Sequence, residues 1–331
     1  MKLDARIYVA GHRGLVGSTI IRRLQNSGYS KLIVRTRGEL DLADQPAVRR
    51  FFEEERPEYV FMAAARVGGI VANNSFPAEF IQQNLAIQLN VIDECLRSEV
   101  KRQIFLGSSC IYPRECPQPI KEEYLLTGPL EPTNRPYAVA KIAGIEQCWA
   151  YNRQYGTQYL AVMPTNLYGP GDHYDLSTSH VLPALIRKAH EAKVTGSTEL
   201  IVWGTGAPRR EFLYVDDMAD ACLFIANLPD PEFRSLLGSE SSAPLINVGY
   251  GSDLTIRELA ELVARIVGFN GRVVFDTSKP DGTPRKWLDS TRILRMGWKP
   301  VTNFEEGIRK TYEDFVKFQA NDSLQIARRA S

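Results

Sequence analysis

Nowhere does the chain run for about 18 apolar residues, the length of a helix that crosses a hydrocarbon core, so no membrane-spanning segment is expected. The opening residues, Met1 to Arg6, lead straight into a strand-like run and hold no apolar export core. An excess of one charge is missing as well. Forty Lys and Arg stand against 39 Asp and Glu, a net charge of +1, which gives no support for a nucleic-acid or membrane-surface partner. Cysteine is sparse: Cys95, Cys110, Cys116, Cys148 and Cys222 are scattered and odd in number. That pattern argues against a disulfide framework and fits reduced thiols in a cytoplasmic protein. Cys110 and Cys116 stand apart from other Cys and His residues, so no metal site is expected. Internal repeats and low-complexity tracts are lacking too.

What is present is an ordinary globular composition, 44% hydrophobic and 24% charged, with a regular alternation of elements. Arg6-Ile7-Tyr8-Val9-Ala10 reads as a buried strand, and Gly11, Gly14 and Gly17 follow at once, with His12, Arg13, Leu15 and Val16 between them. Residues 18–27 then show helical spacing of Ile20, Ile21 and Leu24. Strand, glycine turn and helix in that order form a phosphate cradle: the first glycine allows the tight turn, the second lets backbone approach a pyrophosphate, and the third packs helix on strand. The helix start adds N–H groups and partial positive charge.

Further strands are expected at Leu32-Ile33-Val34, at residues 59–64, at Ile104-Phe105-Leu106 and at residues 159–163, separated by helices over 46–55, 79–97 and 137–155. Spacing of this kind predicts an α/β fold of Rossmann type, a doubly wound parallel sheet with helices on both faces and a smaller mixed α/β C-terminal substrate domain. Residues 1–168, with returning segments at about 212–250, are assigned to the dinucleotide-binding domain. Residues 169–211 and 251–320 are assigned to the substrate domain, and 321–331 to a frayed tail. In the second half, 164–175 reads as a loop punctuated by Pro164, Gly169, Pro170 and Gly171, and Arg209-Arg210-Glu211 as part of a turn-rich segment. A helix is expected over 180–192 and another over 255–267, with Thr255 and Glu258 as a capping box.

The second strand ends in Val34-Arg35-Thr36-Arg37 rather than in an acidic residue. Guanidinium groups at Arg35 and Arg37, with Arg13 from the glycine loop, suit the 2′-phosphate of NADP(H) better than the free 2′-hydroxyl of NAD. A solvated charge pair at Arg35 and Arg37 is the plainer alternative, and Glu39 keeps NAD open. Farther on, Ser108 and Cys110 follow a strand end, and Tyr137 and Lys141 share one face of the next helix. A tyrosine beside a lysine is expected to have its pKa depressed, which makes the phenol a better acid–base at neutral pH. Ser108 can then hydrogen-bond a substrate oxygen. Taken alone, Cys110 could be a small buried hydrophobe, His180 a helix cap, Trp203 a core residue and the Arg209–Arg210 pair surface charge.

Several motifs together carry a resemblance that covers roughly residues 5 to 315. They are Ala10-Gly-His-Arg-Gly-Leu-Val-Gly17, Ala63-Ala-Ala-Arg-Val-Gly-Gly-Ile-Val-Ala-Asn-Asn74 and Leu106-Gly-Ser-Ser-Cys-Ile-Tyr-Pro113, then Glu131-Pro-Thr-Asn-Arg-Pro-Tyr-Ala-Val-Ala-Lys141, Met163-Pro-Thr-Asn-Leu-Tyr-Gly-Pro170 and Pro280-Asp-Gly-Thr-Pro-Arg-Lys286. With them the chain resembles the extended short-chain dehydrogenase/reductases, and within these the epimerase/reductases of GDP-4-keto-6-deoxy sugars. The resemblance implies GDP-4-dehydro-6-deoxy-D-mannose as substrate, NADP(H) as cofactor, a homodimer, and 3,5-epimerisation followed by 4-keto reduction to GDP-L-fucose. It also implies Tyr137, Lys141 and Ser108 as the reductase set, with Cys110 as base and His180 as acid for the epimerisation. On the cofactor it implies Leu106, Gly107, Ser108 and Ser109, Lys141, Pro164, Thr165, Asn166, Leu167 and His180. On the substrate it implies Lys188 and Arg210 at the diphosphate, Trp203 beside the sugar or nucleotide, and Asp281 at the guanosine end. A dehydratase would be expected to carry an Asp-Glu pair where Ser109-Cys110 stands, a 4-epimerase an acidic residue near position 35, and a non-catalytic NADP sensor would lack the Tyr/Lys pair.

Overall fold

The first half of the chain alternates strand and helix without interruption: β1 (Ile7–Ala10), α1 (Leu15–Asn26), β2 (Leu32–Ile33), α2 (Gln45–Glu55), β3 (Tyr59–Met62), α3 (Ile70–Ser75), α4 (Pro77–Arg97), β4 (Arg102–Leu106), α5 (Arg135–Tyr155) and β5 (Tyr159–Pro164). The second half runs through β6 (Asn166–Tyr168), α6 (Val181–Val194), β7 (Glu199–Trp203), β8 (Arg209–Tyr214), α7 (Val215–Asn227), α8 (Asp230–Arg234), β9 (Leu245–Val248), β10 (Asp253–Thr255), α9 (Ile256–Val267), β11 (Arg272–Asp276), β12 (Arg285–Lys286), α10 (Thr291–Arg295) and α11 (Phe304–Ala330). This computed structural model describes every residue but Ala65, Pro280 and Ser331, and the side chains of Ile70, Val71 and residues 321–330 also lie outside the described set. The expected tail over 321–331 therefore falls outside the described side chains.

Six strands form the central sheet in the order β2-β1-β3-β4-β5-β9, all parallel. Their apolar runs have a physical reason: a parallel sheet is covered on both faces, so both sides of a strand are mostly apolar. Val9, Phe61, Ile104 and Leu160 point to one face, where Ile20 and Leu24 of α1 and Met218, Cys222 and Ile225 of α7 cover them. Tyr8, Val60, Phe105 and Tyr159 point to the other, against Phe51 and Phe52 of α2, Val91 and Ile92 of α4, and Ile145 of α5. Chain order reverses between β1 and β3, which opens a crevice at the carboxyl ends of the strands.

A separate core packs the second lobe. Leu185 and Ile186 of α6, Leu259 and Val263 of α9 and Ile308 and Phe315 of α11 close around Val202 and Phe212. Thr255 and Glu258 form the expected capping box at the start of α9, each side chain bonded to the other's backbone N–H. Two segments differ from expectation. Residues 166–168, read as loop, form β6 and pair with β8; residues 209–211, read as turn-rich, begin β8 itself. The charged start of β8 is strand because Asp253 of the neighbouring β10 receives Arg209, leaving the backbone free to pair. No helix among the described residues is long and apolar enough to cross a membrane.

Candidate active site

The carboxyl ends of β1, β4 and β5 lie along one edge of the sheet, with β3 between β1 and β4, and each delivers a segment to the crevice. After β1, Gly11 takes φ +82°, and a Cβ there would lie 2.8–2.9 Å from the backbone of Ala63 and Ala64. At Gly17 a Cβ would come within 2.2 Å of the Gly11 carbonyl. Only glycine fits at either place. Gly14 is the N-cap of α1, no acidic residue enters the first turn, and His12 Nδ1 is buried with no partner among the described residues. A bare helix start behind a glycine turn, plus a waiting ring nitrogen, fits a dinucleotide pyrophosphate.

At the end of β2, Arg35 is held in place: it donates to the Val34 carbonyl at 2.8 Å, pairs with Glu55 and lies 5.4 Å over the Phe51 ring. Arg13 and Arg37 are both exposed, with Arg37 3.8 Å from Asp41. Glu39 turns back to accept from the Thr36 N–H at 2.7 Å. Bonds from Thr36, and then the charges of Arg35 and Arg13, hold its carboxyl below the usual range. Arginine side chains thus gather at this strand end, while the Glu39 carboxylate is committed to its own turn.

Beyond β4, Ser108 caps the short turn Ser109–Ile111 and accepts the Cys110 N–H at 3.2 Å. Its hydroxyl also bonds to Tyr137. Tyr137 is buried beneath the edge of Phe80, at 6.3 Å between ring centroids. Lys141 Nζ donates to the Leu106 carbonyl at 2.7 Å and lies 5.9 Å from the Tyr137 ring. The expected pKa depression of Tyr137 by Lys141 is not what the structure gives. Burial raises the phenol, the Cys110 charge adds to this, and only the Ser108 bond opposes it. Burial also lowers Lys141 to about 7. The reason is that both groups sit in protein rather than water, so desolvation outweighs their mutual field.

Cys110 is half-buried, with Asn134 Nδ2 at 3.3 Å and Lys286 Nζ at 3.4 Å from its sulfur. His180 is the N-cap of α6. The residue is exposed by surface area, yet protein crowds its ring; that desolvation, followed by Lys286 and His173, lowers its pKa. Lys286 is the side chain felt by both members of the proposed acid–base pair. Neither Lys286 nor Asn134 was singled out in the sequence. Both lie inside quoted motifs, but nothing local to position 286 says that it returns to position 110.

On the far wall, Trp203 is 55% exposed, which rules out the core reading, and Lys188 and Lys279 hold their ammonium groups 4.7 and 5.7 Å from its ring. Arg210 Nη1 donates to the carbonyls of Arg209 (2.8 Å) and Thr283 (2.6 Å), and burial lowers its pKa against the charges of Asp281 and Cys110. It is not the free surface charge of the plainer alternative. Asp281 accepts from Thr205 through both its N–H (2.9 Å) and its hydroxyl (2.6 Å). At the end of β5, Thr165 Oγ1 and Asn166 Nδ2 both donate to the Glu211 carbonyl, so one Asn166 donor is already committed.

A pyridine-nucleotide enzyme of the short-chain dehydrogenase/reductase class is the protein that this sheet and these side chains define. Residues 7–235 match the NAD dependent epimerase/dehydratase family, and the chain belongs to that family. It is 53% identical over 318 residues to GDP-L-fucose synthase 1 of Arabidopsis thaliana, covering 96% of this chain and 95% of that one. It is likewise 53% identical over 317 residues to GDP-L-fucose synthase of Escherichia coli (strain K12), covering 95% and 97%. Among solved structures, a GDP-L-fucose synthetase from Naegleria fowleri bound to NADP superposes with a TM-score of 0.84 at 30% identity, over 96% of this chain and 94% of that chain.

Proposed function

We propose that the chain converts GDP-4-dehydro-6-deoxy-D-mannose to GDP-L-fucose by epimerisation at C3 and C5 followed by NADPH-dependent reduction at C4. The observation that carries this reading is the thiol of Cys110, met by Lys286 and Asn134, directly beside Ser108 and Tyr137. A simple ketone reductase has no use for it. The C4 ketone acidifies the protons on C3 and C5, and inversion needs a base on one face of the ring and an acid on the other. Cys110 Sγ takes the proton, and His180 returns one from the opposite side. Ser108 and Tyr137 hold the enolate oxygen meanwhile. NADPH, when bound, supplies the hydride to C4. Tyr137 then gives its proton to the C4 oxygen, a role that suits a phenol whose raised pKa keeps it protonated. Lys141 sits beneath, between the phenol and the end of β4, where it can also bond the nicotinamide ribose.

Residues 11–17, 106–109 and 164–167, together with Arg35, Arg37 and Arg13, hold the cofactor in this reading, with Lys141 and His180 near its nicotinamide end. Lys188 and Arg210 take the diphosphate, Trp203 offers a flat face to the sugar or base, and Asp281 bonds the guanosine end. Residues 1–168 and 212–250 form the cofactor lobe and 169–211 and 251–320 the substrate lobe, although the division at 211–212 falls inside β8. The homodimer of this reading draws support from apolar side chains left exposed on α4 and α5, namely Leu89, Val139 and Tyr155.

The test is incubation with GDP-4-dehydro-6-deoxy-D-mannose and NADPH in deuterated water. NADPH consumption with deuterium at both C3 and C5 of GDP-L-fucose is expected; reduction without deuterium at either carbon refutes the epimerase half. Cys110→Ser should stop deuterium uptake and leave NADPH affinity nearly unchanged.

A further inference from the structure

The segment Arg66-Val67-Gly68-Gly69 has no place in the chemistry above, yet its backbone meets the loop that carries His180. Gly69 N–H donates to the Thr178 carbonyl at 2.9 Å. A Cβ on Gly69 would lie 2.9 Å from that carbonyl oxygen and 3.0 Å from the carbonyl oxygen of Ser179. Both neighbours are backbone, so no side-chain rotation relieves the contact. The donor side is fixed by Asn73, which is buried and donates through Nδ2 to the carbonyls of Gly68 (2.7 Å) and Gly69 (3.1 Å). The receiving side is fixed by Asp175, which accepts the Thr178 N–H at 3.1 Å and the Thr178 hydroxyl at 2.9 Å. His173 Nε2 lies 2.7 Å from the same hydroxyl. Two residues beyond Thr178, His180 opens α6.

We propose that Gly69 is a positioning residue for His180: its N–H and its missing side chain seat the 178–180 segment on the cofactor lobe and so set where the imidazole stands relative to Cys110. This rests on the reading of His180 as the acid that completes inversion. The seat is rigid on both sides, and a misplacement of about 1 Å in a reacting group can cost about a hundredfold in rate. A displaced His180 leaves Cys110 able to take a proton and give one back on the same face. Solvent exchange at the ring carbons then continues while inversion falls, a separation that a general loss of stability does not produce.

The experiment compares Gly69→Ala with His180→Gln and the wild-type enzyme in deuterated water, measuring deuterium exchange and inverted product on the same sample. A cooperative thermal unfolding transition close to that of the wild type reports that each variant is folded. Gly69→Ala is expected to cut inversion about tenfold or more relative to exchange, as His180→Gln does, with the double variant no worse than His180→Gln alone. Asn73→Ala, which loosens the donor side without adding a Cβ, should move the ratio in the same direction and serves if Gly69→Ala does not fold. An unchanged ratio of inversion to exchange in the folded variant, with His180→Gln impaired, overturns the role of Gly69. Normal inversion in His180→Gln overturns the acid role itself, and with it the seat.

Discussion

Lys286 Nζ lies 3.4 Å from Cys110 Sγ, a contact made across 176 residues of sequence. Asn134 Nδ2 completes the pair of donors at 3.3 Å. A sulfur that must carry negative charge while it takes a carbon-bound proton is stabilised by such bonds, most of all by the charged one. Removing that bond is expected to cost about 1.5–3 kcal/mol, or roughly tenfold to a hundredfold in rate. Lys286→Met should therefore slow deuterium uptake at C3 and C5 by at least about tenfold, with Lys286→Arg recovering part of it. NADPH affinity should hold. Uptake at the wild-type rate in Lys286→Met would remove Lys286 from the mechanism.

Arg35 is the arginine at the end of β2 that arrives pre-oriented, clamped by Glu55, the Val34 carbonyl and the Phe51 ring. Arg37 is 76% exposed and only 3.8 Å from a partner that is itself half in solvent. Less freedom is lost when the held side chain meets a phosphate, so the larger share of NADP selectivity is assigned to Arg35. Arg35→Ala should weaken NADPH binding about tenfold to a hundredfold and leave NADH binding nearly unchanged, whereas Arg37→Ala should have a smaller effect. Fluorescence titration of both nucleotides decides it; equal losses for NADPH and NADH would mean that Arg35 supports the fold rather than the phosphate.

Glu211 shows how burial ties stability to pH. Its carboxylate has no exposed surface and accepts the N–H groups of Gly251 (2.8 Å) and Leu288 (3.0 Å). Burial still outweighs those bonds and raises its pKa from 4.5 to about 7. The folded state therefore keeps a proton that the unfolded chain gives up. The contribution is full below pH 4.5 and is lost as pH rises through about 7, a change of about 3 kcal/mol. Asp172, raised by burial to about 7, acts in the same window, while Lys141, lowered to about 7, adds stability as pH rises above it. Glu211→Gln should flatten, without abolishing, the fall in Tm between pH 5 and 7, as read by calorimetry across that range. A parallel pair of Tm curves for wild type and variant would show that Glu211 does not titrate in the native state.

The parts of this protein that were legible in its sequence are the local ones. Val9, Phe61 and Ile104 belong to strands covered on both faces, so continuous apolar runs announced them. Gly11 and Gly17 are required by contacts within a single turn, and Thr255 and Glu258 meet three residues apart. What was hidden depends on distance or on solvent. Arg209 and Arg210 looked like turn residues because the carboxylate that lets Arg209 lie in a strand, Asp253, is 44 residues away. The direction of the Tyr137 pKa could not be read from its spacing to Lys141, since desolvation is set by everything packed around both. Lys286 was quoted within a motif and given no role, because Cys110 lies 176 residues away and the two meet where residues 287–289 fold back against Ile120.

Trp203 offers the last test. The ring stands at the end of β7, 55% exposed, with Lys188 and Lys279 at 4.7 and 5.7 Å from its centroid. An aromatic face flanked by two ammonium groups suits a flat base or sugar joined to a diphosphate: the ring supplies stacking area and the cations lie where the phosphates pass. Desolvation lowers the Lys188 pKa in this structure, so a bound phosphate would oppose that shift. Loss of the ring removes binding that ground state and transition state share, which raises KM and spares kcat. Trp203→Ala should thus raise KM for the GDP-sugar about tenfold, the order of one stacking contact, with kcat and NADPH affinity within about threefold and Trp203→Phe close to wild type. A variant that loses kcat while keeping its KM would place Trp203 in the chemistry instead, and the diphosphate path would have to be redrawn along Arg210 alone.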